Sequence, residues 1–328
     1  MKAVMLVKAY DPETKELGQI QCMDVPKPQL VHDDDVLIKV KYASICGSDP
    51  HLLEGFWDLP IPSPCGHELS GTVEALGPAA NKKGLKIGDR VTGNFYRTCG
   101  SCNSCLKGRP QFCEHGEGHG AAQAEYIVWR ESQVYKIPDG VSLLDAALCE
   151  PFNIAVRAVE RAEIQLGAHV AVSGAGGIGL MITQLLKKAG AAHVTVLEPV
   201  ESKRALAKTM GADYTMDPRA DDIQEQILRV TDGLGFDNII ESSGNGFAAR
   251  STLDYARRGG TIVFMSMYRK DFEMSMNMLE YMYAKELTLK GMYLAQESFP
   301  RAVDMLSTVN LSPIVEKIYS LDECIQAY

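Results

Sequence analysis

Residues 169–179, HVAVSGAGGIG, constrain the fold more than any other stretch of this chain. An apolar run of strand type enters a turn made of Gly174, Gly176, Gly177, Ile178 and Gly179, and the apolar helical stretch IGLMITQLLKKAG (178–190) leaves it. The first glycine permits a tight turn, the second lets a pyrophosphate approach the backbone, and the third lets helix and strand pack closely. The helix N-terminus offers unpaired N–H groups and partial positive charge to phosphates. About twenty residues on, HVTVLE ends in Glu198. A carboxylate there suits the hydroxyls of an adenosine ribose and repels a 2′-phosphate, which favours NAD over NADP. Lys203, a further candidate cofactor contact, and Arg204 follow it and soften that repulsion.

Around this turn the pattern alternates. Strand-like runs at 169–174, 193–198, 237–244 and 260–266 are separated by helical stretches such as 153–162 and 178–190. Strands divided by helices imply right-handed crossovers and a parallel sheet covered on both faces, an α/β doubly wound domain. Before Glu150 the texture differs. Runs at 36–46, 70–77, 90–95 and 124–129 are short, β-rich and broken by Gly and Pro, which predicts a mostly β domain with irregular loops. The end of the chain is mixed, with a helix expected at 298–306 and a strand at 315–320. We therefore expect a discontinuous first domain, 1–150 completed by 293–328, and a nucleotide domain over 151–292.

The nine cysteines are an odd number, and four of them fall in CGSCNSCLKGRPQFC (99–113). That is a poor disulfide framework and a good metal-binding one. Cys99, Cys102, Cys105 and Cys113 can close a tetrahedral thiolate shell around zinc with no open position, a structural site. An iron–sulfur cluster is the competing reading, but the Cys-Pro fourth ligand and a second cluster run are missing. A net charge of -9 with no Lys/Arg-rich run provides no footprint for nucleic acid or an anionic membrane. No window reaches the length of about 18 apolar residues that a membrane span needs, and the start lacks a signal-peptide pattern. These features point to a cytoplasmic protein.

A second set of metal-type residues comes from three separated segments: Cys46 in ASICGSDPH (43–51), His67 and Glu68 in CGHELSG (65–71), and Glu150 in LCEPF (148–152). One thiolate, one imidazole and a carboxylate are acceptable zinc ligands and leave a coordination position open. Gly66, His67, Glu68, Gly71, Gly77 and Ala80 stand in the order of a known zinc signature. With the cysteine lobe and the GAGGIG turn, the whole chain resembles the zinc-dependent medium-chain alcohol dehydrogenase family, in particular its polyol, butanediol and threonine dehydrogenase branches.

The resemblance implies a GroES-like catalytic domain beside the nucleotide domain, an active site in the cleft between them, two zinc ions per chain, and NAD. It makes Cys46 and His67 ligands of the catalytic zinc. LCEPF has glutamate where simple alcohol dehydrogenases have cysteine, so Glu68 and Glu150 share the remaining place, and the sequence leaves open which binds directly. Cys65 and Cys149 are expected to be packed side chains. Ser48 and His51 match the family's proton relay, Ser48 taking the substrate proton and His51 passing it to solvent through the cofactor ribose. Asp49 would orient the zinc site from behind its ligands, or cap a turn. The implied substrate is a secondary alcohol, either polyol or diol, with threonine or another amino alcohol as the alternative. A zinc-stabilised NAD-binding protein without dehydrogenase activity is the rival from another class; the relay argues against it. A homodimer or homotetramer is implied, with the strand near Thr261–Ser266 taken as a sheet edge and the methionines at 274, 276, 278 and 282 as contact candidates. His115 and His119 are expected in a mobile loop, and Phe56 and Trp57 in the pocket wall or core. The family's closing segment runs on past the equivalent of Tyr328.

Overall fold

A computed structural model describes residues 1–328. Two compact units emerge, one from Met1–Asn153 with Ala295–Tyr328, the other from Ile154–Leu294.

The second unit is built on a six-stranded parallel sheet. Across the sheet the strands run Tyr214–Met216, His193–Leu197, His169–Ser173, Phe236–Glu241, Ala256–Phe264 and Thr288–Gly291. This is the order of a doubly wound dinucleotide-binding fold, reversing at the 169–173 strand. The central strands are buried almost throughout, as expected for a sheet with helices on both faces. Leu197, Ile227, Phe236, Ile239, Leu253, Ile262 and Tyr281 form the core of this unit. Two strands were not anticipated: Tyr214–Met216 has three residues and Thr288–Gly291 four, too short to show a period. The second of them corrects an expectation. It pairs with 261–264, so the run near Thr261–Ser266 is not a sheet edge. Of the methionines, Met274 and Met276 lie in an irregular stretch and pack against the core, Met278 is exposed at the start of the π-helix Leu279–Ala284, and Met282 lies within that helix.

The first unit holds a five-stranded antiparallel sheet in the order Val134–Lys136, Arg90–Gly93, Glu68–Leu76, Asp35–Ser44 and Tyr126–Arg130. Its core gathers Val36, Ile38, Leu69, Val73, Val91, Ile127 and Trp129. A smaller sheet joins Gln19–Asp24, Lys2–Lys8 and Ser63–Pro64. The pairing of 35–44 with 68–76 positions the site. It starts at Val36↔Leu76, skips Glu74 on one strand and Lys41 on the other, and ends at Ser44↔Glu68. The two bulges are of opposite sense, so the final register equals the initial one. The expected strand at 315–320 is absent: the segment is mostly exposed and pairs with no other strand, and β-type residues form a ladder only against a partner. The expected helix at 298–306 is Phe299–Met305. No helix is long and apolar enough to cross a membrane.

Candidate active site

Ser44↔Glu68 is the last pair of its ladder, so Cys46 leaves one strand where His67 enters the other. Gly66, just before His67, has φ +78°, and a Cβ there would stand 2.5 Å from Gln123 Cγ, so this approach needs glycine. The ligand atoms of Cys46, His67 and Glu68 lie within 4.8 Å of one another. Glu68 is 1% exposed. Its Oε2 accepts the Ser44 hydroxyl, whereas its Oε1, 4.0 Å from His67 Nε2, has no hydrogen-bond partner. A buried carboxylate oxygen without a donor is costly unless a cation occupies the place.

The surroundings make the same demand. Burial, then the charges of Glu68 and Glu150, push the Cys46 thiol well above its ordinary range, against hydrogen bonds from Ser48. Burial raises Glu150 to about 8, with Glu68 and Asp49 adding to the rise and His67 opposing it. Burial alone would lower His67, but Glu150, Glu68 and Asp49 outweigh it and raise its pKa. Three buried carboxylates and a half-buried thiol around one imidazole fit a divalent cation bound by sulfur, nitrogen and oxygen. Glu150 stands outside the compact group of three, in the first turn of the helix Cys149–Ala162.

Ser48 precedes the short helix Asp49–Leu53, which carries Asp49 and His51, and spends no side-chain bond on capping it. Asp49, raised to about 6 chiefly by burial, lies with Oδ1 3.6 Å from His67 Nδ1. Its Oδ2 accepts the Cys46 N–H at 3.0 Å and the Gln123 amide at 3.3 Å. It thus closes the turn at Cys46 and also lies beside His67 and Gln123. His51 Nδ1 is 2.7 Å from Glu54, its ring stacks on Phe56 at 4.5 Å, and a quarter of its side chain is exposed. Trp57 is exposed. Ser44, Glu54 and Gln123 are contributors that carry no motif in the sequence. Gln123 also accepts the Tyr328 hydroxyl at 2.9 Å.

The four-cysteine lobe is equally compact, with Cys99, Cys102, Cys105 and Cys113 sulfurs within 4.8 Å of one another. Backbone N–H groups of Ser101 and Cys102 point at Cys99 and hold its thiol down to about 5. Burial and the neighbouring sulfurs push Cys105 up to about 12. Such a set, no two members joined as a disulfide, fits a closed tetrahedral zinc site. Cys65 and Cys149 are packed side chains, 1% and 0% exposed. His115 is exposed. His119 is not in a loose loop: the adjoining Glu117–Gly118 pairs with Tyr96–Arg97, and His119 meets Glu117 at 3.3 Å and Arg97 at 3.4 Å.

In the second unit, Gly174 takes φ +102° and Gly177 opens the helix Gly177–Lys188. Ile178 is half-buried in its first turn. A Cβ on Gly176 would meet nothing within 4 Å, while one on Gly179 would lie 2.1 Å from the Gly174 carbonyl oxygen. The open space at the second glycine and the close packing at the third fit a pyrophosphate cradle. Glu198 is buried, with Oε2 accepting the Ala175 N–H and Oε1 the Val200 N–H, both at 2.9 Å. It ties the cradle to the next turn, a role beyond the ribose contact expected of it. Lys203 is exposed in the helix Glu201–Thr209.

Comparison with known proteins gives this geometry its context. Residues 32–139 match the model of the alcohol dehydrogenase GroES-like domain, and residues 177–308 that of the zinc-binding dehydrogenases. L-threonine 3-dehydrogenase of Alteromonas mediterranea is 34% identical, over 98% of this chain and 94% of its own length. A candidate zinc-binding dehydrogenase of Sinorhizobium meliloti 1021, solved with NADP, superposes with a TM-score of 0.89 at 30% identity, covering 99% of this chain and 95% of that one. Galactitol-1-phosphate dehydrogenase of Escherichia coli superposes with a TM-score of 0.84 at 25% identity, covering 95% and 91%. The open and closed cysteine-containing sets, the glycine cradle and these likenesses agree: the chain belongs to the zinc-dependent medium-chain alcohol dehydrogenase family, enzymes that use zinc and a nicotinamide cofactor.

Proposed function

We propose that this enzyme oxidises a secondary alcohol of the polyol or diol type with NAD, and runs the reverse reduction. The observation that carries the reading is the partnerless Glu68 Oε1 beside Cys46 and His67. Those three residues would hold the catalytic zinc, with Glu150 as a reserve ligand at its border, and the four-cysteine lobe would hold a structural one. When bound, the catalytic zinc supplies a Lewis acid for the alcohol oxygen and the nicotinamide supplies the hydride acceptor. The protein residues do the rest. Ser44 fixes the Glu68 carboxylate and Asp49 the His67 ring, so the ligands are aligned before substrate arrives. Ser48 takes the hydroxyl proton. His51, held through Nδ1 by Glu54, keeps Nε2 available to pass that proton to solvent.

Threonine is the second reading, supported by the name of the Alteromonas relative, which shares a third of its residues with this chain. An NAD-reduction screen over sorbitol, other polyols, 2,3-butanediol and threonine separates the two. The greatest kcat/KM on a polyol or diol is expected; the greatest value on threonine moves the enzyme to the amino-alcohol branch, and no turnover on any of them overturns the proposal. A cytoplasmic location agrees with nine free cysteines, and a homodimer or homotetramer with the family.

A further inference from the structure

The carboxyl ends of the two outermost strands on the 193–197 side of the nucleotide sheet carry Glu198 and Asp217 side by side. The Glu198 N–H donates to Met216 O at 3.0 Å, which locks the two ends together. Two arginines sit on this corner. Arg219 grips Asp217 with a fork, Nε to Oδ1 at 3.0 Å and Nη2 to Oδ2 at 2.8 Å, and also donates to the Pro199 carbonyl at 2.8 Å. Arg204 donates to the Glu198 carbonyl at 2.7 Å and lies 3.7 Å from Asp217 Oδ2. Both guanidinium groups thus rest on the Glu198–Pro199 backbone, the turn that follows the strand carrying the ribose acid.

Guanidinium forks are what a 2′-phosphate requires. Here Arg219 Nε and Nη2 and Arg204 Nη1 are engaged by Asp217 and by backbone carbonyls. Glu198, in turn, is buried with one N–H on each oxygen, which blunts its own repulsion of a phosphate. The acid at the end of the 193–197 strand is therefore not the only barrier to a phosphorylated ribose. We propose that Asp217 sets the choice between NAD and NADP, by occupying Arg219 and Arg204 and so denying a 2′-phosphate the cationic fork it would bind. This rests on the nicotinamide dinucleotide reading above.

Isothermal calorimetry with NAD⁺ and NADP⁺, on the zinc-loaded protein without substrate, tests it. Asp217→Asn keeps the side-chain shape and removes the charge. NADP⁺ should then bind about tenfold tighter, the worth of one charge-assisted hydrogen bond, while the NAD⁺ Kd stays within about twofold by the same reckoning. Adding Arg219→Ala to Asp217→Asn should remove the gain. Arg219→Ala alone should leave NADP⁺ affinity unchanged, because that arginine is already engaged. The inference is overturned if Asp217→Asn leaves NADP⁺ binding unaltered, if the gain survives in the double variant, or if Arg219→Ala alone weakens NADP⁺. It is also overturned if the unaltered protein binds both dinucleotides equally. An unaltered protein that binds neither one removes the dinucleotide reading itself. Should Asp217→Asn fold poorly, Asp217→Ser takes its place with the same expected gain and the same overturning outcomes.

Discussion

Glu68 carries its two oxygens into different company, one held by Ser44 and one held by nothing, and that asymmetry separates it from Glu150. Glu68→Gln should lower bound zinc from about two ions per chain to about one; Glu150→Gln should leave the count unchanged. Metal analysis of the two variants decides, and the opposite pattern would make Glu150 the direct ligand. Removing the Ser44 hydroxyl should weaken zinc binding by about ten- to a hundredfold, the usual effect of losing a group that orients a ligand. At His51 the expectation concerns rate. His51→Gln should lower kcat about a hundredfold with zinc content intact, and imidazole buffer should restore part of it. Sequence offered His67 and Glu68 through the spacing of a signature, and Cys46 and Glu150 through the order of their segments, but not Ser44, Glu54 or Gln123. Those are single polar residues that acquire a role only through contacts the chain order does not display; Gln123 reaches Asp49 across 74 positions.

Among the elements, the glycine turn shows two different demands met by one residue type. Gly176 faces open space, so Gly176→Ala should fold normally, with an unchanged Tm, and lose about tenfold in NAD affinity by crowding the pyrophosphate. At Gly179 the added methyl meets backbone, and Gly179→Ala should cost about 1–3 kcal/mol of stability, seen as a lower Tm before any cofactor is added. Equal effects on Tm would refute the division of roles. The strand before this turn and the helix after it were legible, because the strand is a continuous apolar run ending at a glycine turn and the helix spans twelve mostly apolar residues. The strands at 214–216 and 288–291 were not, and 315–320, with its Val, Ile and Tyr, did not become a strand. Short strands owe their existence to the neighbour they pair with, which a local pattern does not contain.

For the whole molecule, the order of the motifs along the chain was the informative quantity. Two stretches far apart in sequence, before Asn153 and after Ala295, form one unit, and the stretch between them forms the other. The proposed zinc ligands all belong to the first unit. The partners of the glycine cradle, Glu198, Ser242 and Ser243, belong to the second. Stripping zinc with a chelator should therefore abolish turnover and leave NAD binding measurable by calorimetry; loss of NAD binding on chelation would contradict this independence. Cys102→Ser should remove one zinc and lower the Tm by roughly ten degrees, since metal binding to such a lobe is folding free energy.

The two cancelling bulges between the 35–44 and 68–76 strands bear on which insertions and deletions a lineage of such proteins can accept. Lys41 and Glu74 are both exposed and neither touches the zinc ligands, so each looks dispensable. Deleting one alone leaves the other bulge uncompensated, moves Ser44 off Glu68 by one residue, and turns side chains on that stretch to the opposite face. Deleting both restores the pairing. A library of single and paired deletions should thus show activity lost in either single deletion and regained in the double, so that two harmless-looking surface positions are inherited as a unit.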